Sequence, residues 1–151
     1  MSLSPSKFNL FAFFKLPSAW WCGVRLKSCE EEKAVVTVKH KWFNQNPFKS
    51  MFWAVQGMAA ELSTGIMVSS QIRERGENIS MLVANNNGNF SKKATGKITF
   101  TCEDGKKIKE ALDKTIATGE GQTFWMKSVG LNEEGMIVST FNFEWTVKLR
   151  A

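Results

Sequence analysis

Residues 50–71 read SMFWAVQGMAAELSTGIMVSSQ, and this stretch decides how the rest of the chain folds. Apolar and small side chains recur on nearly every face of a helix drawn through it, which predicts a helix buried inside a domain. Ser50 is the natural N-cap, and Gly65 is expected near the end of the helix. Glu61 is the only charged residue in the stretch. Because an ionised side chain is almost never buried without a partner or a purpose, Glu61 is the leading candidate for a functional carboxylate.

Two structural roles for Glu61 compete with the functional one. Its carboxylate could pair with a lysine or with backbone amides, or it could lie at the margin of the helix in water. The composition narrows the functional role. The single histidine, His40, falls in the alternating run AVVTVKHKW, which predicts a core or rim position on a strand rather than catalysis. Catalytic triads, Cys-His dyads and zinc sites all use histidine, so a chain with a single histidine is not expected to contain them. We predict no metal and no cofactor.

The cysteines and the net charge narrow the expected cellular location and the expected class of binding partner. Three cysteines lack the CxxC spacing of zinc or redox sites and indicate buried thiols in a reducing cytoplasm: Cys22, Cys29 and Cys102. A net charge of +6 favours an anionic partner. Nucleic acid is not predicted, because there is no zinc-finger or RNP pattern and the lysines are scattered. The apolar run at 8–21 is interrupted by Asn9, Lys15 and Pro17, so we expect no membrane span and no signal peptide.

The remaining pattern predicts a single α+β domain over residues 1–151. Ser4 and Pro5 begin an N-terminal helix that ends before Pro17, so residues 1–18 form a helical extension. Alternating apolar residues predict strands at 20–28, 34–42, 79–94, 97–103, 122–131 and 136–149. Within the third strand, 85–88 could equally form a turn. A second helix is expected at 105–117, and 71–78 is expected to be an exposed loop. Strands with one packed and one wet face predict an antiparallel sheet with a helix on one side.

The order of elements and two local motifs resemble the hotdog fold, in which a curled antiparallel sheet wraps a central helix. Asn46-Pro-Phe-Lys-Ser-Met51 resembles the N-x-x-G-T/S-M motif at the helix start of thioesterase-type hotdog proteins. Phe90-Ser-Lys-Lys-Ala-Thr-Gly96 resembles their Tyr/Phe-x-x-Pro-Val-x-Gly strand end. The resemblance covers roughly residues 20–150. It points to bacterial hotdog proteins of unknown function that are commonly described as acyl-CoA thioesterases.

The resemblance implies catalytic roles for three positions. In thioesterase-type hotdogs a helix Asp or Glu acts as general base or nucleophile, and Glu61 occupies that place. Some members carry a Gln or Asn 15 residues earlier that holds the attacking water or the carbonyl, and this position is Asn46. A backbone amide eight residues before the acid polarises the thioester oxygen, which implies the N–H of Trp53. A helix N-terminus suits that task because its N–H groups are unpaired and its potential is positive.

Helix spacing adds candidate binding residues. Ala54, Gly57 and Gly65 fall at −7, −4 and +4 from Glu61, so small side chains leave space for substrate beside the carboxylate. Alternatively, a packed strand or a partner's helix fills that space. Ser50 is a further substrate-binding candidate. Lys92 and Lys93 are the first candidates to bind CoA phosphates, with Arg73 and Arg75 behind them.

Three departures from the family pattern affect what is expected. Trp53-Ala54 stands where thioesterases usually have Gly-Gly, and the indole narrows or closes the acyl or pantetheine channel. Lys49 stands where relatives often have Gly. The dehydratase branch of the fold needs a histidine about fourteen residues before its helix acid, and this chain has Pro47 there. Dehydration is therefore not predicted.

Two functions from different classes remain. The first is an enzyme that hydrolyses an acyl-CoA or related thioester with Glu61 as base or nucleophile. The second is a non-catalytic hotdog protein that binds a fatty-acyl or other apolar ligand. Hotdog sites in the resembling family form between two subunits, and an unpaired edge strand is a liability, so a homodimer or a dimer of dimers is expected.

Overall fold

The computed structural model describes residues 3–151, and its sheet has six antiparallel strands. The strands are β1 (Arg25–Cys29), β2 (Ala34–Lys39), β3 (Ile79–Phe90), β4 (Lys97–Cys102), β5 (Gln122–Leu131) and β6 (Ile137–Leu149). The helices are α1 (Pro5–Lys15), α2 (Pro17–Trp21), α3 (Trp53–Arg75) and α4 (Gly105–Thr118), with a 3-10 turn at Trp42–Asn44. The strands follow one another across the sheet in the order β1-β2-β4-β5-β6-β3.

The long helix α3 packs against β2, β4, β5 and β6, so the curled sheet wraps it. The largest fully buried side chains come from both layers and include Leu26, Met67, Ile98 and Phe100. The α+β class and the central helix are therefore as the sequence predicts. From β4 onward, every predicted strand and helix boundary agrees with the structure to within one residue.

The start of α3 lies two residues later than predicted, and Ser50 is not its N-cap. The cap position is Phe52, whose side chain makes no capping hydrogen bond. The Ser50 hydroxyl is instead 3.0 Å from the Asn46 side-chain nitrogen, and Met51 pairs with Gln45 in an isolated β-bridge. Ser50 therefore belongs to the loop before the helix.

The end of α3 was also predicted wrongly. Gly65 lies in mid-helix, and the segment predicted as a loop from 71 onward is helical as far as Arg75. The reason is a tertiary contact, because the buried Gln71 side chain donates to the carbonyls of Glu31 and Gly105, each at 3.0 Å. The helix stops at Gly76, whose φ of 68° is the left-handed conformation that suits a glycine cap.

The first two strands are shorter than predicted. Pro17 begins the short helix α2 rather than ending all helix, and Gly23 has a φ of 95°, so β1 begins only at Arg25. β2 ends at Lys39, because the chain then turns through the 3-10 segment at Trp42–Asn44. N-terminal helix α1 ends before Pro17 as predicted.

The strand β3 runs through Asn85–Gly88, so the predicted strand is confirmed over the turn alternative. It pairs with β6 along its length, with an irregularity between Val83 and Asn85. It ends at Phe90 rather than at Ala94.

The two edges of the sheet are treated differently. On β1, the Asn9 side chain of α1 accepts a hydrogen bond from the Leu26 N–H at 2.9 Å and donates one to the Leu26 carbonyl at 3.1 Å. Among residues 3–151, β3 pairs with β6 alone, and its residues from Ala84 to Phe90 are exposed. The edge at β3 is therefore open.

The single histidine and the cysteines lie outside the catalytic candidates. His40 follows β2 directly and is half-buried, as expected for a rim position. Burial raises the pKa of Cys29 to about 11 and that of Cys102 to about 12, so both thiols stay protonated.

Within residues 3–151, no helix has both the length and the hydropathy needed to cross a bilayer.

Candidate active site

Glu61 lies in a cleft where α3 passes the joint between α1 and α2. The cleft has a volume of about 340 Å³, and its walls include Leu16, Pro17, Met58 and Leu62. Burial raises the pKa of the Glu61 carboxyl above its ordinary value. Within residues 3–151 no hydrogen bond or ion pair reaches this carboxylate. The first structural alternative, a Glu held by a lysine or by amides, is therefore absent from this part of the chain.

Aromatic side chains of β6 lie against the small residues beside Glu61. A Cβ added at Gly65 would lie 3.0 Å from the Trp145 ring and 3.6 Å from the Glu61 Oε1 atom. Trp145 is fixed there, because its indole N–H donates to the Thr64 hydroxyl at 2.9 Å. At Gly57 the nearest ring atom, from Phe141, would be 3.7 Å from an added Cβ. The glycines thus leave room for the rings of the sheet, while Ala54 is only partly buried.

A second cavity lies at the start of α3 and has a volume of about 520 Å³. We call it the helix-start cavity. It brings together five of the predicted site residues: Asn46, Ser50, Trp53, Lys92 and Lys93. Phe48, Phe52 and Phe90 add apolar walls, and these three were not predicted from the sequence.

The Asn46 side chain is engaged within its own loop. Its oxygen accepts hydrogen bonds from the backbone N–H groups of Phe48 at 2.9 Å and Ser50 at 3.3 Å. Its nitrogen donates to the Met51 carbonyl at 3.4 Å. These bonds hold the tight turn in which Lys49 adopts a φ of 61°, which explains why a glycine is often found at that position in the resembling proteins. The Asn46 amide therefore shapes the start of α3.

The backbone N–H of Trp53 is unpaired within the described chain. Trp53 is the first residue of α3, and in the described chain its N–H donates to no backbone carbonyl. The indole is 57 % exposed and stands at the wall of the helix-start cavity. The amide is thus available, and the side chain narrows the approach to it.

The basic candidates separate into two groups. Lys92 and Lys93 are exposed at the helix-start cavity, where the Lys93 ammonium donates to the Phe48 carbonyl at 3.2 Å. Arg75 lies at the far end of α3 and is paired with Asp113 at 2.8 Å. Arg73 lies in the same last turn of α3, so neither arginine stands behind the two lysines.

A family profile described as a domain of unknown function, DUF4442, matches residues 5–147. The chain belongs to the DUF4442 family. None of the curated proteins matches this DUF4442 chain.

Solved structures show which fold the DUF4442 chain has. A protein of unknown function from Chlorobaculum tepidum TLS superposes with a TM-score of 0.82 at 17 % identity, covering 97 % of this chain and 94 % of that one. A protein from Pseudomonas aeruginosa described as a probable thioesterase gives 0.79 at 16 % identity, covering 97 % of each chain. A thioesterase from Staphylococcus aureus gives 0.64 at 15 % identity, covering 83 % of this chain and 93 % of that one. The predicted hotdog fold is therefore confirmed.

In the DUF4442 chain, the predicted catalytic groups fall into two separate places. Glu61 is eight positions after Trp53, which is a rise of about 12 Å along a helix. The two groups also line different cavities. The wall that α1 and α2 supply to the Glu61 cleft was not predicted from the sequence. A signal was present, because Pro17 both ends one helix and starts the next, which makes a corner at that point.

Proposed function

We propose that this DUF4442 protein hydrolyses the thioester of an acyl-CoA or a related acyl thioester. The observation that carries the proposal is the Glu61 carboxylate, half-buried in a cleft and without a partner in residues 3–151. An unpaired buried carboxylate destabilises a folded protein. Such groups are therefore found at functional sites more often than in purely structural roles. The solved thioesterases of the same fold support the reaction class.

The proposed reaction uses Glu61 as a general base. Its carboxylate removes a proton from water as the water oxygen attacks the thioester carbon, and the carbonyl oxygen becomes an oxyanion. Unpaired N–H groups at a helix start stabilise that charge. Collapse of the intermediate breaks the C–S bond, and the thiolate takes the proton from Glu61. If Glu61 attacks the thioester carbon directly, the C–S bond breaks, the thiolate leaves, and a mixed anhydride with Glu61 forms. Water then hydrolyses the anhydride, which restores the Glu61 carboxylate and supplies the proton that the thiolate takes up.

The site is proposed to be shared between two subunits. In one chain the Glu61 carboxylate and the Trp53 amide lie too far apart to act on the same carbonyl group. The open edge at β3 offers unpaired backbone groups to a second copy, whereas the β1 edge is covered by Asn9. We therefore propose a homodimer or a dimer of dimers, in which one subunit supplies the carboxylate and the other the amide.

The spacing of two residues in one solved thioesterase supports a functional role for Asn46 as well as for Glu61. The Staphylococcus aureus thioesterase was crystallised with a Glu replaced by Ala and with a Gln replaced by Ala, and these two positions lie 15 residues apart. Asn46 and Glu61 have the same separation. Since the Asn46 amide is engaged in its loop, its proposed contribution is to position the helix start and its N–H groups.

The helix-start cavity is the proposed site for the carrier. Lys92 and Lys93 supply positive charge at its rim for CoA phosphates, and Phe48, Phe52 and Phe90 supply apolar walls. A cytoplasmic location fits the three free cysteines.

The second candidate function is an acyl-binding protein without catalysis. The rings of Phe141 and Trp145 against the helix glycines, and the Trp53 indole at the helix-start cavity, favour it. A panel of acyl-CoA esters of increasing chain length separates the two functions. The enzyme releases free thiol, which a thiol reagent detects, whereas a binder raises the melting temperature without releasing thiol. No thiol release with any chain length would reject hydrolysis of acyl-CoA.

Light scattering at micromolar concentration tests the shared site. The expected mass is that of two or four chains. A stable monomer would contradict the division of the site between subunits.

A further inference from the structure

Several large apolar side chains of α1, α2 and the 3-10 turn are exposed, and we call five of them the aromatic face: Leu10, Phe11, Phe14, Trp21 and Phe43. On α1, Phe8 and Ala12 point inward, which leaves Leu10 and Phe14 on the outer side one turn apart. Phe14 is 68 % exposed and Trp21 is 55 % exposed. The cost of leaving such side chains in water calls for an explanation.

The rings form a continuous series rather than scattered exposures. Phe13 contacts Phe14 at 4.9 Å between centroids and Trp20 at 4.8 Å. Trp20 contacts Trp21 at 5.4 Å, and Trp21 contacts Phe43 at 6.5 Å. The series therefore joins α1, α2 and the 3-10 turn in one surface.

The chain segments that carry the aromatic face are basic and contain no acidic residue, although Glu61 lies in the adjoining cleft that Lys15 also lines. Residues 1–29 contain four basic residues and no Asp or Glu: Lys7, Lys15, Arg25 and Lys27. Residues 39–60 again contain no acid and include Lys39, Lys41 and Lys49. Lys15 follows Phe14 directly, and the Lys41 ammonium lies 3.1 Å from the position of a Cβ on Gly23, close to Trp21. The acidic turn 30–32 follows β1 at the strand end away from Trp21.

We propose that the aromatic face docks on the surface of an anionic lipid bilayer. Trp and Phe partition into the boundary between headgroups and acyl chains, and nearby lysines bind the negative headgroups. A second copy of the chain fits this surface less well, because it would bring two basic surfaces together, and the open edge at β3 already offers that copy a place to pair.

Docking would bring the Glu61 cleft to the bilayer. Leu16 and Lys15, next to Phe14 in sequence, also line that cleft. Acyl chains held at the membrane would then lie at its mouth. This consequence rests on the proposed hydrolase function, whereas docking itself does not.

Co-sedimentation of the full chain with vesicles tests the docking. The wild type is expected to sediment with vesicles of phosphatidylcholine mixed with phosphatidylglycerol. It is expected to sediment weakly with phosphatidylcholine alone, and high salt should weaken binding to the mixed vesicles. Absence of binding to the mixed vesicles at low salt overturns the proposal.

Paired variants assign the binding to the surface. Phe14→Ser combined with Trp21→Ser should weaken binding to the mixed vesicles by about tenfold or more, since two interfacial rings are lost. Trp125→Ser, on β5 and 41 % exposed, is the matched control outside the ring series and should bind as the wild type does. Lys15→Gln and Lys41→Gln should each cost about fivefold on anionic vesicles at low salt. The lysine variants also serve if the aromatic variant fails to fold.

The other outcomes are equally decisive. Wild-type binding by the folded aromatic variant, or an equal loss in Trp125→Ser, rejects the assignment. If the aromatic variant instead changes the mass found by light scattering and the wild type ignores vesicles, a second copy covers the face and the proposal is wrong. If the wild type binds vesicles but releases no thiol from any acyl-CoA, the hydrolase function is rejected and the docking proposal is retained.

Discussion

The loop before α3 and the helix around Glu61 differ in whether their polar side chains have hydrogen-bond partners. Before the helix, the Asn44 side chain donates to the Cys22 carbonyl, and the Asn46 side chain accepts from the Phe48 N–H. Two turns into α3, Glu61 lies half-buried with no partner in the described chain. Groups that are satisfied stabilise the fold, whereas an unsatisfied carboxylate destabilises it and is free to react. Substitutions at the two places should therefore affect different properties.

Asn44→Ala is expected to have the largest effect on stability. Asn44 is 2 % exposed, accepts a hydrogen bond from the Lys41 N–H, and donates to the carbonyls of Cys22 and Lys39. Its removal leaves buried groups unpaired, so the free energy of unfolding in urea should fall by roughly 2–4 kcal/mol. Thiol release per folded molecule should change little. The exposed Asn78→Ala is the control, and an equal loss there would contradict this account.

Gly65→Ala and Gly57→Ala form the next comparison, on one helix. An added Cβ would be 3.0 Å from the Trp145 ring at Gly65 but 3.7 Å from Phe141 at Gly57. Alanine favours a helix by about 1 kcal/mol, but crowding at Gly65 should outweigh it and cost about 1–3 kcal/mol. Gly57→Ala should instead stabilise by up to about 1 kcal/mol. Equal melting shifts would show that the Trp145 ring moves freely.

The pH dependence of stability tests whether the charge of Glu61 is buried in the folded protein. Burial raises the pKa of Glu61 in the folded state, so the protonated form is the one that folding favours. The contribution of protonated Glu61 to the free energy of unfolding is fully present below the ordinary Glu pKa of about 4.3. It is lost as the pH rises through the raised pKa of the folded state. The stability advantage of Glu61→Gln over the wild type should therefore grow with pH across that window. A difference that is constant with pH would contradict the burial of the charge.

Lys92→Ala combined with Lys93→Ala is expected to have the smallest effect. Loss of the two charges should raise KM for acyl-CoA several-fold and leave short N-acetylcysteamine thioesters unchanged, because those carry no phosphate. Lys106→Ala with Lys114→Ala, on α4, is the matched control. Equal losses on both substrates would reject contact with the phosphates.

The elements could be predicted from the sequence because apolar alternation and the buried helix are local signals. The error at the end of α3 came from contacts between distant residues. Nothing near Gln71 reveals that its amide reaches Glu31 and Gly105 and keeps the helix intact. The misplaced cap has a local cause, because Asn46, four residues earlier, engages the Ser50 hydroxyl in the loop before the helix.

The site was predicted in part for the same reason. Asn46, Ser50 and Trp53 are close in sequence and meet in one cavity with Lys92 and Lys93. The cleft at Glu61 depends on the corner between α1 and α2, which only the tertiary fold places against α3. Spacing in the helix also fails to show that Trp145 occupies the space at Gly65.

Glu61→Gln, measured for turnover and stability on one preparation, tests the central claim most directly. The amide keeps the volume and removes the charge, so thiol release should fall by about two to four decades. The melting temperature at neutral pH should hold or rise, because no buried charge remains. Glu110→Gln, on the exposed face of α4, should change neither property. A Glu61→Gln protein that is destabilised but hydrolyses normally would contradict the account.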